Sequence, residues 1–475
     1  MPGLSIIHRK NLVTVLSDIR FWILLFFIIR LIGITNPPLE IGHNWRQALT
    51  NMIARNFYES GPDLLHPRID MAGEKTGIIG SEFPFFNFII YLVSAVFGYT
   101  HWFGRLINLL VSSLGTWCFY LLVNRLVNKQ AAFNATIILL SSIWFAFSRK
   151  IMPDTFSVSL VIIGLYFAYE YLFSGRLVKL VLFFLFITLG GLCKIPALTL
   201  SSLLIITLFI KYIHPGRKLA VLFVTLAGFL IIILWYFYWV PYLVSEYQFQ
   251  TIFPKGFLEG LQDLYELRIK TLEKFYFSSL HSFLAFGCFM AGLFLVFYRK
   301  NTLLKIAVAV VTVSFILFII KAGALFSNHN YYIIAYTPLM AFVAGFFISL
   351  IKIRFQWILL VLIAMEGIAN QQHDFFIRES EQYKLTLEQI AEVHIGKNDL
   401  IVINGGESPQ QLYFTNRKGW SVENKTITDP DKMEEFRQKG AAYLIINKTS
   451  FTGELDLPQV YADRHFIIYR LKDHC

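Results

Sequence analysis

The fold assignment depends on the stretch PPLEIGHNWRQALTNMIARNFYESG, at residues 37–61. It places an acid, a histidine, a tryptophan and an arginine within seven positions, and it follows a hydrophobic segment. Pro37 and Pro38 end that segment, because proline stops a helix from continuing. From about Glu40 the spacing predicts a short amphipathic helix. Its apolar face would hold Trp45, Leu49, Met52, Ile53 and Phe57, and its polar face His43, Gln47, Thr50 and Asn51, with Arg46 at the border.

The chain around this stretch is too hydrophobic for a soluble protein. Of its 475 residues, 56% are hydrophobic and 15% are charged. A helix needs about 20 apolar residues to span a bilayer. The sequence therefore predicts an all-α polytopic membrane protein with about eleven transmembrane helices. They lie near residues 19–34, 103–123, 130–147, 156–173, 177–193, 196–213, 219–243, 278–298, 303–322, 331–351 and 355–372.

Basic residues between these segments predict the orientation, because positively charged loops stay in the cytoplasm. The clusters are Arg125/Lys129, Arg176/Lys179, Lys211/Arg217/Lys218, Arg299/Lys300/Lys305 and Lys352/Arg354. With Arg9 and Lys10 of the N-terminus inside, all of them are cytoplasmic if residues 35–102 form an outer loop. This requires that the run at 83–98 lie in the interface or re-enter, without crossing. The C-terminus is then outside.

The net charge of +11 does not point to a nucleic-acid partner. The basic residues form short clusters between apolar runs, which is typical of orientation signals and contacts with membrane lipids. The helix that begins near Glu40 is accordingly predicted to lie in the membrane interface.

The last part of the chain, residues 373–475, predicts a small α/β domain outside the membrane, after a transmembrane domain at 1–372. Predicted strands are DLIVINGG, AAYLIIN and HFIIYRLK, and predicted helices are RESEQYKLTLEQIAEVHIGKND, SPQQLYFT and DKMEEFRQKG. A further amphipathic segment is predicted on the outer side at 244–277.

Several motifs occur in an order that resembles a known family. SEFPFFNFIIYLVSAVFG and WFGRLINLLVSSLG follow the opening stretch, and SRKIMPDTF, LCKIPAL and SNHNYYIIAYTPLM come later. The order resembles that of the GT-C fold membrane glycosyltransferases, in the superfamily of protein O-mannosyltransferases and lipid A aminoarabinose transferases (glycosyltransferase family 39-like). The resemblance covers roughly the first 350 residues, and the orientation predicted from the basic clusters places every motif on the outer side.

The resemblance implies that the donor is a sugar linked to polyprenyl phosphate and that transfer usually inverts the anomeric carbon. By position, Glu82 and Asp154 match the acids of the first and second outer loops. Lys194 matches a basic residue near the donor phosphate, and His329 and Tyr331 belong to the late motif.

Sugar transfer needs a general base for the acceptor hydroxyl and cations for the departing phosphate. The candidate catalytic residues are Glu40, His43, Glu82 and Asp154. The candidate phosphate-binding residues are Arg46, Arg55, Arg149, Lys194, His329 and Tyr331. We expect these groups to meet at the outer membrane boundary.

One position departs from the family pattern. Members usually carry an aspartate about nine residues before the arginine of the IAR sequence, and counting back from Arg55 gives Arg46. Either Glu40, with or without His43, takes over as the base, or Glu82 does, or the chain is catalytically different or inactive.

Structural interpretations compete with these roles. Asp154 after Pro153 is also a typical helix N-cap, Arg149 and Lys194 could extend toward lipid headgroups, and Tyr331 could belong to an interfacial aromatic belt. His43 and His329 lack the spacing of a zinc site, so no metal or other cofactor is predicted, and a divalent cation is left open.

The predicted function is glycosyl transfer in a bacterial inner membrane, with the C-terminal domain in the periplasm. The acceptor, a protein, lipid A or another glycan, stays open. Competing interpretations are a transporter or flippase for a lipid-linked sugar, a glycan polymerase or ligase with a diphosphate-linked donor, and a structural membrane protein.

Overall fold

A computed structural model describes residues 14–249, 254–453 and 455–472. Arg9 and Lys10, invoked for the orientation, lie outside these residues, as does a short part of the segment at 244–277. The chain divides into two compact units. The first consists of Met1–Ile34, Arg105–Trp235 and Ile252–Phe375, and the second of Thr35–Gly104, Tyr236–Thr251 and Phe376–Cys475. The domain boundary predicted at 372/373 stays a prediction.

The first unit is helical. Its α-helices are Ile19–Arg30, Phe103–Leu126, Lys129–Ser141, Trp144–Phe147, Pro153–Ser174, Leu177–Cys193, Pro215–Leu234, Phe257–Glu266, Arg268–Glu273, Phe283–Tyr298, Thr302–Ala322, Ala324–Asn328, Thr337–Ile348 and Ile353–Ala369. Ile195–Phe209, Asn330–Ala335 and Gln372–Phe375 are 3-10 helices, and Trp235–Trp239 and Lys274–Ser278 are π-helical turns.

Four helices of the described residues are long and apolar enough to cross a membrane by length and composition. They are Phe103–Leu126, Pro153–Ser174, Pro215–Tyr247 and Thr302–Ala322. The bent pair Arg268–Ser278 and Phe283–Tyr298, with an angle of 94°, adds a fifth if it forms one span. The count of about eleven spans is not confirmed. Phe85–Phe97 has 13 residues, fewer than the about 20 that a span requires.

Glycines bring helices of the first unit close together. A Cβ at Gly345 would collide with the backbone of Ala135, so helix Thr337–Ile348 reaches helix Lys129–Ser141 through a residue without a side chain. A Cβ at Gly292 would likewise collide with the Val343 carbonyl. Close packing through small residues is typical of membrane helices, whose association gains little from the hydrophobic effect.

The second unit combines the first outer loop with an α/β region. Its α-helices are Asn44–Ser60, Phe85–Phe97, Val240–Tyr247, Glu379–Gln382, Leu387–His394, Gln410–Thr415, Asn424–Ile427 and Pro430–Gln438, with a 3-10 helix at Tyr383–Thr386. Its strands are β1 (Leu400–Ile403), β2 (Gly419–Ser421), β3 (Ala441–Asn447), β4 (Gln459–Ala462) and β5 (Phe466–Arg470).

The five strands form one sheet in the order β2-β1-β3-β5-β4. β1 pairs in parallel with β2 and β3, whereas β5 is antiparallel to β3 and β4. The central strand residues are buried, as the apolar runs IVI and LII predict. β2 and β4 were not predicted, because three or four residues with half-exposed side chains give no periodic signal. The helix predicted after Arg378 is divided into three short pieces and ends at His394.

Candidate active-site residues

Asp154 and Lys194 form a buried pair in the first unit. Asp154 lies in the first turn of helix Pro153–Ser174, where the helix dipole favours a negative charge. The N-cap of that helix is Met152, so the alternative interpretation of Asp154 as an N-cap is wrong. Lys194 Nζ lies 3.7 Å from Asp154 Oδ1, and the two side chains are 8% and 4% exposed. A lysine buried to this degree is not extending toward headgroups.

The late motif contributes aromatic rings to the same pair. Lys194 Nζ lies 5.3 Å from the ring centroid of Tyr331 and 5.5 Å from that of Tyr332. The His329 ring stacks on Tyr331, with centroids 5.1 Å apart and planes inclined by 14°. The structure therefore brings four of the sequence-predicted residues together: Asp154, Lys194, His329 and Tyr331.

Arg149 precedes Asp154 by five residues in the chain and is also buried. Its guanidinium carbon lies 4.1 Å from the ring centroid of Phe375, in a cation–π contact. Arg30 is also fully buried and contacts Ser148, the residue that precedes Arg149. Arg30 Nη1 donates a hydrogen bond of 2.6 Å to Ser148 Oγ.

The sequence analysis missed three members of this region: Arg30, Lys150 and Asp374. Lys150 Nζ lies 3.1 Å from Asp374 Oδ2, and the lysine side chain is 1% exposed. Arg30 was included in the predicted apolar span at residues 19–34. A charge inside a span is expensive and usually functional, and that signal was available.

In the second unit Arg46 and Glu82 form an ion pair. Arg46 Nη2 donates to Glu82 Oε1 over 2.6 Å. Arg46 lies in the first turn of helix Asn44–Ser60, and Glu82 lies in the loop before Pro84. Their side chains are 15% and 24% exposed, so the pair is partly open to solvent.

Glu40 lies deeper than Glu82. It is fully buried, Asn36 Nδ2 donates to its Oε1 over 3.0 Å, and its backbone pairs with that of Ile377. The helix begins at Asn44, four residues later than predicted, so Glu40 is outside the first turn. His43 is the N-cap residue in the left-handed region, with φ of 55°, a rare conformation for a residue with a side chain.

The predicted polar face of this helix is not exposed. Gln47, Thr50 and Asn51 are all buried. Asn51 Nδ2 donates to the His101 carbonyl over 2.8 Å, and Asn87 Nδ2 donates to the Thr50 carbonyl over 2.7 Å. The helix is therefore enclosed by polar as well as apolar contacts.

Arg55 and Tyr413 are the buried members of a group that we call the Arg55 network, which also contains the half-buried Asp70, Tyr99 and His101. Arg55 is 2% exposed, and its guanidinium lies 4.4 Å from the Tyr413 ring centroid and 3.4 Å from Asp70 Oδ2. The Tyr413 hydroxyl lies 2.7 Å from the Tyr99 hydroxyl and 2.6 Å from His101 Nδ1. Burial raises the pKa of Tyr413 to about 12 and lowers the pKa of His101 to about 4.

With these pKa shifts, the charges of the network at pH 7 are those of the ion pair between Arg55 and Asp70. Both phenols stay protonated and His101 stays neutral near pH 7, while burial raises the pKa of Asp70 from its usual value. In the described residues there is no group of three or more His, Cys, Asp or Glu side chains that could hold a metal ion.

Comparisons with known proteins relate these residues to a family. A family model described as dolichyl-phosphate-mannose-protein mannosyltransferase matches residues 81–239, which include Glu82, Asp154 and Lys194. Comparison with curated protein sequences finds no match.

Solved structures of low sequence identity share the fold. ArnT from Cupriavidus metallidurans bound to undecaprenyl phosphate matches with a TM-score of 0.63 and 13% identity, over 95% of this chain and 98% of ArnT. An oligosaccharyltransferase of Archaeoglobus fulgidus, in complex with Zn and sulfate, matches with a TM-score of 0.60 and 12% identity, over 90% of this chain and 67% of that one. Archaeal AglB in complex with an inhibitory peptide and a dolichol-phosphate matches with a TM-score of 0.58 and 13% identity, over 90% and 69% of the two chains. The resemblance predicted from the motifs is confirmed.

Proposed function

We propose that this chain, a multi-pass membrane glycosyltransferase of the GT-C fold, transfers a sugar from a polyprenyl-phosphate donor to an acceptor hydroxyl. Transfer would take place at the outer, periplasmic face of a bacterial inner membrane, with the N-terminus in the cytoplasm. The observation that carries the proposal is the environment of Lys194, a buried ammonium next to Asp154 and two tyrosine rings.

The geometry of Lys194 suits the reversible binding of a phosphate group. Its distance of 3.7 Å from Asp154 Oδ1 exceeds the range of a hydrogen bond, so the ammonium is attracted to the carboxylate without being fixed to it. In a buried site an added phosphate oxygen would gain a strong charge-assisted hydrogen bond. We assign Lys194 to the donor phosphate and Asp154 to the orientation of Lys194.

Arg30 and Arg149 support the same assignment. Both guanidinium groups are buried, and Arg30 bonds to Ser148, the residue before Arg149. A bound anion would offset part of the cost of burying two positive charges. Arginine is also the side chain best suited to phosphate recognition, because its planar donors match two oxygens at once. His329 and Tyr331 would close the site through their ring contacts.

Two of the similar structures agree with a donor of this class. ArnT is bound to undecaprenyl phosphate, and AglB is in complex with a dolichol-phosphate. Both ligands are polyprenyl chains that end in a phosphate. We infer a donor with the same lipid phosphate in this chain.

Glu82 is the best candidate for the general base. A base must reach the proton that it accepts, and the Glu82 side chain is 24% exposed, whereas Glu40 is fully buried. Arg46 Nη2 donates a hydrogen bond to Glu82 Oε1 and so orients the carboxylate. Glu40 and His43 then shape the start of the helix that carries Arg46.

In the proposed step the acceptor oxygen forms a bond to the anomeric carbon of the donor. The bond between that carbon and the phosphate oxygen breaks, and its electron pair leaves with the polyprenyl phosphate. Glu82 takes the proton of the acceptor hydroxyl, and the cations around Lys194 stabilise the leaving phosphate. Arg46 orients Glu82, and Arg55 fixes the helix on which Arg46 lies.

The test is a transfer assay with the purified protein in lipid nanodiscs. Sugars linked to polyprenyl phosphate and to polyprenyl diphosphate are offered separately, and free lipid phosphate and glycosylated product are measured. Release of polyprenyl phosphate together with product supports the proposal. Use of the diphosphate donor alone identifies a polymerase or ligase, and translocation of an intact donor identifies a flippase.

A further inference from the structure

We propose that a groove at the C-terminal end of helix Asn44–Ser60 binds a carbohydrate. The groove has a volume of about 330 Å³ and lies within the second unit. Asn56, Phe57, Asp63, His66 and Arg68 are among the residues that line it. None of them belongs to the groups to which the transfer step has been assigned.

Asp63 fixes both the loop and His66. Its Oδ1 accepts hydrogen bonds from the backbone N–H groups of Leu65 and His66, at 3.1 and 3.2 Å. His66 Nδ1 lies 2.9 Å from Asp63 Oδ2. A carboxylate only accepts hydrogen bonds, so Nδ1 carries a proton, and Nε2 is the second ring nitrogen of this lining residue that can bond to a ligand hydroxyl.

The rest of the groove wall is also held in place. The His66 ring packs edge-on against Trp239 and Tyr247, with centroids 5.6 and 6.2 Å apart. Trp239 Nε1 donates to the Leu65 carbonyl over 2.9 Å. Asn56 Nδ2 donates to the Arg68 carbonyl over 3.0 Å. A wall that is ordered before binding spares the ligand the cost of ordering it.

The chemistry of the lining fits a ligand rich in hydroxyl groups. Arg68 provides only donors, Asp63 provides only acceptors, and a hydroxyl is both. The two side chains carry opposite charges, so the groove has no net charge that would select an anion. Pro62, an exposed residue of the lining, adds an apolar surface, as expected of a small-molecule site with a few placed polar groups. A neutral sugar combines these properties.

The position of the groove indicates which sugar it would hold. Asn56 follows Arg46 by ten residues on one helix, which corresponds to about 15 Å at 1.5 Å per residue. This is too far for the sugar whose hydroxyl reacts at Glu82. If the proposed function holds, the groove therefore binds a distal part of the acceptor, and the acceptor is a glycan of several sugar units.

The test uses the full chain in nanodiscs on an array of neutral and acidic oligosaccharides of graded length. The informative variants are Asp63→Asn, which keeps an oxygen that can accept from the loop N–H groups, and Arg68→Gln, at an exposed position. Glu74→Gln is the control, since it removes an exposed carboxylate of the same outer loop outside the groove. Loss of one or two hydrogen bonds should weaken oligosaccharide binding about tenfold.

Binding of neutral oligosaccharides that both groove variants weaken and Glu74→Gln leaves unchanged would support the proposal. It is overturned if no glycan binds the wild-type protein, if the variants bind as well as the wild type, or if inorganic phosphate displaces the glycan. Transfer to a single-sugar acceptor separates the two proposals. Glycan binding without any transfer would contradict only the proposed function. Transfer without glycan binding would contradict only the proposal that the groove binds a carbohydrate.

Discussion

Arg46 Nη2 lies 2.6 Å from Glu82 Oε1, although the two residues are 36 positions apart in the chain. Arg46 occupies the position where the family usually carries an aspartate. The ion pair therefore couples the one departure from the family pattern to an acid that the pattern retains. In the proposed mechanism the loop therefore supplies the carboxylate, and the helix supplies the cation that orients it.

Exchange of the two charges tests this relation. Arg46→Glu combined with Glu82→Arg keeps an ion pair, so we expect nearly normal thermal stability. The exchange also moves the carboxylate from the loop to the helix. Because the proposed base must lie at residue 82, we expect transfer to fall about 100-fold or more. Transfer rates and thermal unfolding of the purified variants provide the comparison. Full activity of the exchanged protein would show that the carboxylate need not come from residue 82.

Substitutions that neutralise the buried pair of Asp154 and Lys194 distinguish a role in donor binding from a role in folding. Lys194→Met alone leaves the Asp154 carboxylate buried without that partner, and breaking a buried pair in this way costs about 3–5 kcal/mol. Lys194→Met with Asp154→Asn removes both charges, so we expect recovery of the folded protein without recovery of donor use.

The readouts for this pair are the amount of folded protein and the KM for the polyprenyl-phosphate sugar. Lys211→Met, at an exposed lysine of the same unit, is the matched control. If the double variant used the donor as well as the wild type does, Lys194 would have no role in phosphate binding.

The hydroxyl of Tyr413 in the Arg55 network should contribute strongly to the stability of the folded protein. Tyr413→Phe removes the buried hydroxyl that bonds to Tyr99 and His101, so that these two half-buried groups lose a hydrogen-bond partner. An unsatisfied buried polar group costs about 1–3 kcal/mol, so the variant should melt at a lower temperature. Tyr58→Phe, on an exposed ring of helix Asn44–Ser60, serves as the control. Equal melting temperatures for the two variants would argue against a role of the network in stability.

His101 should make stability depend on pH. Burial and, to a smaller extent, the charge of Arg55 lower the pKa of His101 from 6.5 to about 4, although Glu388 Oε2 lies 3.9 Å from Nε2. Below pH 6.5 the unfolded chain takes up a proton that the folded chain does not, so stability is complete above pH 6.5 and is lost as the pH falls toward 4. Thermal unfolding of the wild type and of His101→Gln across this range is the measurement. An equally steep decline in His101→Gln would assign the effect to another group.

Helix packing in the first unit provides a prediction that is independent of function. Gly345→Val would drive side-chain atoms into the backbone of Ala135, and overpacking of this kind costs about 1–3 kcal/mol. We expect less folded protein in the membrane and a lower melting temperature. Gly287→Val is the control on another helix, since a Cβ at Gly287 meets no atom within 4 Å. Similar yields of both variants would contradict the close approach.

Sequence patterns predicted the features that depend on local order. The succession of motifs identified the fold, and apolar runs identified β1, β3 and β5. They also placed Asp154, Lys194 and Tyr331 in one group, because the family order was retained over these segments.

Long-range contacts were the source of the errors. The polar face of helix Asn44–Ser60 looked exposed from its spacing, yet it is buried against groups such as His101 and Tyr413. A helical period shows which residues share a face but not what covers that face. Arg30 was absorbed into a span for the same reason, because hydropathy averages over a single charge.

Profiling of lipid-linked sugars and glycans tests the central claim most directly. Cells that lack this chain are compared with cells that produce the wild type or the Lys194→Met/Asp154→Asn double variant. We predict that one polyprenyl-phosphate sugar accumulates in the deletion strain and in the variant, while one glycan loses the corresponding sugar. Unchanged donor and glycan profiles in cells without the protein would contradict the account.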